Sequence, residues 1–119
     1  MRRLTLVLIV LFTLTACTPD EVAFWQWWNT QPIGCHDAVD FYWPTDSRAW
    51  AHRIVQRESG GDPAEQNPRS SAAGCFQLMR VHAWRFDATG SSWAARYDAR
   101  ANTVAALHLY REQGSRPWR

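Results

Sequence analysis

The sequence contains no lysine. All thirteen basic residues are arginine, and eleven acidic residues face them, so the formal net charge at pH 7 is only +2. A charge this small gives no reason to expect a nucleic acid or another polyanion as a partner. The chain also has only three cysteines and shows no strand-like alternation, internal repeat or low-complexity tract. These absences exclude a cysteine-rich scaffold, a repeat protein and a mainly β fold.

The N-terminus has the pattern of an export signal. Arg2 and Arg3 precede an apolar run over residues 4–14, which is too short to cross a bilayer comfortably. The run ends in Leu-Thr-Ala-Cys, a sequence that resembles the bacterial lipobox, in which the Cys is lipidated and becomes the new N-terminus. We therefore expect residues 1–16 to be a lipoprotein signal peptide and Cys17 to anchor an exported protein on a bacterial membrane, facing the periplasm or the cell wall. An ordinary secretory signal with an unmodified Cys17 is the alternative.

The two other cysteines are predicted to form a disulfide. Lipidation of Cys17 leaves Cys35 and Cys75, an even pair in an exported protein. Two alternatives remain open. A metal site from Cys35, His36, Cys75 and His82 lacks a recognised ligand spacing, and a nucleophilic Cys75 would need His82 as its base. We expect neither a metal nor another cofactor.

Composition divides the remaining chain into a tether over 17–34 and a domain over 35–119. The tether is mainly polar but carries an aromatic cluster, which would pack on the domain or lie at a membrane surface: Phe24, Trp25, Trp27 and Trp28. The domain is predicted to be mainly α-helical. Its helices are expected at about 35–43, from Asp46 or Ser47 to Glu58, at 81–86, and at 99–113 between Asp98 and Gly114. The long irregular stretch 59–74 is typical of a functional loop.

Glu58 is the most informative residue of the domain. An apolar stripe at helical spacing leads to it, formed by Trp50, Ala51, Ile54 and Val55. Its carboxyl group is therefore expected on the apolar side of the helix, near the end where a cleft can open. Burial disfavours the charged form of a carboxyl group, and an acid that stays protonated near neutral pH can act as a general acid. An isolated glutamate more often turns to water, so the assignment depends on the residues that follow.

Two short segments supply that context. Glu-Ser-Gly-Gly at 58–61 is followed by a loop with Pro63 and Pro68, and then by Gly-Cys-Phe-Gln at 74–77. Together they resemble the lytic transglycosylase and lysozyme-like superfamily, whose members cut the glycan strands of bacterial peptidoglycan. The resemblance covers about 39–118, and the last helix is similar to the closing helix of small bacterial and phage members.

The resemblance implies a single lysozyme-like domain and a role for several residues. By this resemblance Glu58 would be the catalytic acid, and Gln77 would line the sugar cleft. Ser71, or alternatively Ser70, lies on the loop that borders Glu58. Trp84 either offers its ring to a sugar or fills the core.

The same resemblance implies the chemistry. Glu58 would protonate the leaving oxygen of the β-1,4 bond between N-acetylmuramic acid and N-acetylglucosamine, and would then act as a base while a 1,6-anhydro ring closes. This lytic transglycosylase route needs no second carboxylate, and neither Asp62 nor Asp87 has positional support as one. A lysozyme-type hydrolase and a catalytically silent module that binds glycan or an envelope partner are the alternatives.

Overall fold

The computed structural model describes residues 16–119, so the signal predicted for the N-terminus lies, except for its last residue, outside the described residues. The described chain is mainly helical and contains no strand, which confirms the mainly α class. No helix within it is both long and apolar enough to cross a membrane. Its five helices are α1 (Pro19–Thr30), α2 (Cys35–Tyr42), α3 (Arg48–Ser59), α4 (Ala83–Ala88) and α5 (Ala99–Gln113). The chain divides into two compact units between Gln31 and Pro32.

The described part of the first unit is helix α1, which lies in the segment predicted to be a tether. Thr18 begins it with a reciprocal cap. The Thr18 hydroxyl accepts from the Glu21 N–H at 3.2 Å, and the Glu21 carboxylate accepts from the Thr18 N–H at 2.7 Å. Pro19 occupies the first helical position, where its missing N–H costs nothing. No residue of α1 is buried, and three rings of the aromatic cluster are exposed: Phe24, Trp25 and Trp27.

The second unit has an aromatic core at its centre. The Trp43 ring, 1% exposed, stacks on Phe76 with their centroids 5.2 Å apart. Each buried indole N–H has an acceptor, because Trp43 donates to the carbonyl of Thr103 at 3.1 Å and Trp118 donates to the carbonyl of Phe76 at 3.0 Å. Phe76, in the middle of the Gly-Cys-Phe-Gln segment, is therefore fixed by packing on its ring and by hydrogen bonds on its backbone.

The helix ends follow local signals at most places. Helix α3 ends at Ser59, where Gly60 takes a left-handed conformation with φ +62°. Helix α5 begins behind Asp98, whose carboxylate accepts from the Ala101 N–H at 2.9 Å. The helix predicted at 81–86 is instead a 3-10 turn over Arg80–His82 that continues into α4, because the His82 N–H bonds three residues back, to Met79, at 2.9 Å.

A disulfide joins Cys35 to Cys75 across 40 residues, as predicted. It links the start of α2 to the Gly-Cys-Phe-Gln segment. Because both sulfurs are used in this bond, Cys75 is not a nucleophile, and the metal site considered with His36 and His82 loses its thiolates. Within residues 16–119, no three His, Cys, Asp or Glu side chains are grouped to hold a metal ion. Cys17 is exposed and lies outside the disulfide.

Candidate functional site

The two residues of the Glu-Ser pair at the end of α3 have different surroundings. Ser59 is buried, and its Oγ lies 3.0 Å from the carbonyl oxygen of Val55 and 2.9 Å from that of Cys75. The hydroxyl therefore fastens the end of α3 to the Gly-Cys-Phe-Gln segment. The Glu58 side chain is 27% exposed and faces a cleft. The serine thus brings the carboxyl group and the second segment together.

Helix α5 holds the same segment from the other side. Asn102 is fully buried, and its side-chain oxygen accepts from the Phe76 N–H at 2.9 Å. Its amide nitrogen donates to the carbonyls of Ala73 and Arg96, both at 3.0 Å. Gly74 has φ +77°, and a Cβ atom there would lie 2.3 Å from the Arg96 oxygen and 2.4 Å from the Asn102 nitrogen. Only glycine fits this position, which gives the motif glycine a physical reason.

Gln77 is the only residue other than glycine in the described chain with a positive φ, at +49°. Such a conformation is uncommon and persists where its surroundings enforce it, often at functional sites. Here the side-chain amide nitrogen of Gln77 donates to the carbonyls of Glu65 and Gly74, both at 3.0 Å. These bonds fix the side chain at the wall of the cleft.

Glu58 lies where two parts of the cleft meet. The larger part has a volume of about 630 Å³ and the smaller about 100 Å³, and Glu58, Gln77 and Met79 line both. The loop 59–74 forms most of the larger part, through Glu65, Asn67, Pro68, Arg69, Ser70 and Ala72. The smaller part is completed by Leu78, His82, Leu109, Pro117 and Trp118.

The Glu58 carboxylate forms an ion pair with its neighbour in sequence. Its Oε1 accepts from Arg57 Nη2 at 2.7 Å and from Arg57 Nε at 3.2 Å, and Nη2 also donates to the carbonyl of Trp118. The setting is therefore more polar than the apolar stripe predicted. The Arg57 side chain is 54% exposed, and ion pairs at such sites contribute about 0–1 kcal/mol. Binding of a ligand could open this pair at little cost.

A second carboxyl-bearing residue, Glu65, lines the larger part of the cleft together with Glu58. Asp62 and Asp87, the carboxylates considered from the sequence, do not line the cleft. The Asp62 carboxylate accepts from the Ala64 N–H at 2.9 Å and so shapes the turn that precedes the loop. No sequence pattern distinguishes Glu65, because the folding of the loop alone brings it to the cleft.

Of the remaining predicted site residues, only Ser70 lines the cleft. Ser70 lines the larger part of the cleft, whereas the Ser71 hydroxyl accepts from the Arg80 N–H at 2.9 Å and does not line the cleft. Trp84 is half-exposed and does not line it either; the Arg85 guanidinium lies over its ring, 4.3 Å from the centroid. Of the predicted set, Glu58 and Gln77 are brought together.

Comparison of the chain with models of protein families, with curated proteins and with solved structures finds no match in any of the three. The fold, the disulfide and the geometry of the cleft around Glu58 are therefore the features that bear on the function of this protein.

Proposed function

We propose that the second unit is a lysozyme-like domain that cleaves the β-1,4 bond between N-acetylmuramic acid and N-acetylglucosamine in peptidoglycan, by the lytic transglycosylase route. The observation that supports it best is the position of Glu58, which lies beside Gln77 where two parts of one cleft meet. A glycan strand carries sugars on both sides of the bond that is cut, so the acid has to stand between two binding regions. The proposed reaction needs no metal or cofactor.

In this proposal Glu58 acts first as an acid and then as a base. Its proton passes to the bridging oxygen, the bond from that oxygen to C1 of N-acetylmuramic acid breaks, and the acetamido group of this sugar stabilises the charge at C1. The C6 hydroxyl of the same sugar then attacks C1 and returns its proton to Glu58, which leaves a 1,6-anhydro end. Both contacts from Arg57 fall on Oε1, so Oε2 is the oxygen that would carry the proton.

Lysozyme-type hydrolysis is the second candidate, and Glu65 is the observation that favours it. A pair of carboxylates on one cleft is the usual equipment of a glycosidase, in which the second carboxylate activates water or attacks the sugar. Here Glu58 would protonate the bridging oxygen as before, and a water molecule activated by Glu65 would take the place of the C6 hydroxyl. The products would then carry reducing ends.

The proposed partners follow from the same reasoning. The substrate is the glycan strand of peptidoglycan, and a lipid on Cys17 would hold the exported protein on the bacterial membrane that faces the wall. The exposed position of Cys17 is compatible with such a modification. Labelling cells with a fatty-acid analogue tests it: the full chain should take up label and a Cys17→Ala variant should not.

Digestion of purified peptidoglycan followed by mass spectrometry of the soluble fragments tests the reaction. We expect 1,6-anhydro fragments from the wild type and from Glu65→Gln, and none from Glu58→Gln. Glu21→Gln on α1 is the matched control, since it removes a carboxylate outside the cleft and keeps a capping side chain. Reducing ends that disappear in Glu65→Gln would support the hydrolase instead. Absence of soluble fragments with retained binding to the wall would refute cleavage and support the silent glycan-binding module.

A further inference from the structure

A buried arginine contacts His82, one of the residues that line the smaller part of the cleft. The Arg85 side chain, on α4, is 2% exposed and forms a two-pronged ion pair with Glu112 of α5, with Nη1 to Oε2 at 3.0 Å and Nη2 to Oε1 at 2.9 Å. Two histidines also contact it. Arg85 Nε donates to His82 Nδ1 at 3.3 Å, and Arg85 Nη1 lies 3.0 Å from His108 Nδ1.

The contact with Arg85 determines which nitrogen of His82 carries the proton. A guanidinium group only donates hydrogen bonds and does not lose its proton in proteins. His82 Nδ1 must therefore be the bare, accepting nitrogen, and the ring proton must be on Nε2. Burial, followed by the positive charge of Arg85, lowers the pKa of His82 against a smaller opposing effect of Glu112, so the neutral ring is favoured.

The other side-chain N–H donors that line the smaller part of the cleft already have acceptors. The Trp118 indole N–H donates to the carbonyl of Phe76, and the Gln77 amide donates to two backbone carbonyls. His82 lines the same space, and no acceptor within residues 16–119 bonds to its Nε2. This N–H is therefore free to donate to a ligand that enters the cleft.

We propose that His82 donates a hydrogen bond from Nε2 to an oxygen of the saccharide bound beside Glu58, and that Arg85 is a positioning residue that fixes the ring in this donating form. The proposal rests on the proposed function. The acetamido carbonyl of an N-acetylated sugar is the strongest neutral acceptor that such a substrate offers. His82 would therefore select N-acetylated sugars over sugars that lack this group, because a site built to hydrogen-bond a group rejects the analogue without it.

Two substitutions separate this role from a merely structural one. In His82→Gln the side-chain amide can reach the position of Nε2 and still donate into the cleft, but nothing accepts from Arg85 at the position of Nδ1. In His82→Asn the amide oxygen can accept from Arg85, but nothing reaches the cleft. We expect His82→Asn to lower kcat/KM on purified peptidoglycan about tenfold, the effect of one lost hydrogen bond, and His82→Gln to lower it less. If His82→Asn is as active as the wild type while His82→Gln is impaired, His82 serves only Arg85 and the proposal is wrong.

Nitrogen NMR of the full chain checks the protonated form directly and separates this inference from the proposed function. At pH 7.5 we expect the signal of a bare Nδ1 and a protonated Nε2 for His82, and a loss of this preference in Arg85→Met. The trimer of N-acetylglucosamine added to the Glu58→Gln protein should shift the Nε2 proton, and a glucosamine trimer should not. If the wild type fails to cut peptidoglycan while these shifts appear, cleavage is refuted and the sugar contact stands. If cutting occurs but the proton is found on Nδ1, or the acetylated trimer causes no shift, the inference is refuted.

Discussion

Removal of the Asn102 side chain should loosen the segment that carries Gln77. In Asn102→Ala the Phe76 N–H and the Arg96 carbonyl both lose this side-chain partner, whereas the Ala73 carbonyl still accepts from the Leu78 N–H at 3.1 Å. Each buried polar group left unpaired costs about 1–3 kcal/mol, so we expect the two groups together to lower the free energy of unfolding by about 2–6 kcal/mol. For a unit of about 90 residues, each kcal/mol lowers Tm by about 4–8 °C, which gives a decrease of at least about 8 °C.

Circular dichroism during heating measures this change, and Asn29→Ala is the matched control. Asn29 is exposed on α1, so its loss should change stability by less than about 0.5 kcal/mol. Asn102→Ala should also lose activity on peptidoglycan below its melting temperature, because Gln77 is no longer held at the cleft. If Asn102→Ala melts within 2 °C of the wild type, the side chain does not hold the segment, and the reasoning about Gly74 and Gln77 fails with it.

Two further predictions concern stability. Replacement of both Cys35 and Cys75 by Ala should cost about 4 kcal/mol, since the disulfide closes a loop of 40 residues; a urea midpoint unchanged at pH 7 would contradict this. Acid should also destabilise the protein in two steps around Arg85. Burial and Arg85 lower the pKa of His82, and hydrogen bonds from Arg85 lower the pKa of Glu112 to about 2. The unfolded chain therefore binds more protons than the folded one at acid pH. The contribution of both groups to the free energy of unfolding is fully present above about pH 6.5. It decreases first as pH falls below 6.5, where His82 of the unfolded chain takes up a proton, and again between about 4.5 and 2, the range of Glu112. Melting temperatures from pH 7.5 to 2 should show both steps in the wild type. In Arg85→Met the lower step should flatten, because the bonds from Arg85 cause it, whereas the upper step, which burial of His82 mainly causes, should remain. Equal slopes below pH 4.5 in the two proteins would refute this reading.

Helices with strong end signals were predictable from the sequence. Asp98 and Gly114 bound α5 at the predicted residues, and Gly60 ends α3 one residue beyond Glu58. Both helices also carry apolar faces that pack in the core, so local and long-range preferences agree there. The disulfide was equally predictable, because the oxidising compartment implied by the predicted export signal favours pairing of two cysteines.

Helix α1 was not predicted from the sequence. Its apolar period is weak, so the segment resembled a tether. The capping box of Thr18 and Glu21 with Pro19 at the first helical position was present in the sequence and would have indicated a helix start. In this helix the end signals were more informative than the apolar pattern.

Only the residues of the two sequence motifs could be assigned to the candidate site in advance. Glu58 and Gln77 lie in segments that Ser59 ties together, so recognising both segments was enough to place them at one cleft. Arg57 and Glu65 were missed because their positions depend on how the loop and the chain end fold back. A local pattern in the sequence does not indicate such long-range contacts. Ser70 lines the cleft and Ser71 does not, which the sequence could not indicate either, because neighbouring residues of an irregular loop face different ways.

The rate at which purified peptidoglycan loses turbidity tests the proposed role of Glu58 most directly. Equal concentrations of wild type, Glu58→Gln and the control Glu21→Gln should be compared after their folding has been verified by melting. Because general acid–base catalysis contributes about 10²–10⁴-fold, we expect Glu58→Gln to be at least 100-fold slower than the wild type, and Glu21→Gln to be unchanged. Equal rates for the wild type and Glu58→Gln, or no loss of turbidity with either, would contradict the proposal that Glu58 hands a proton to the glycan.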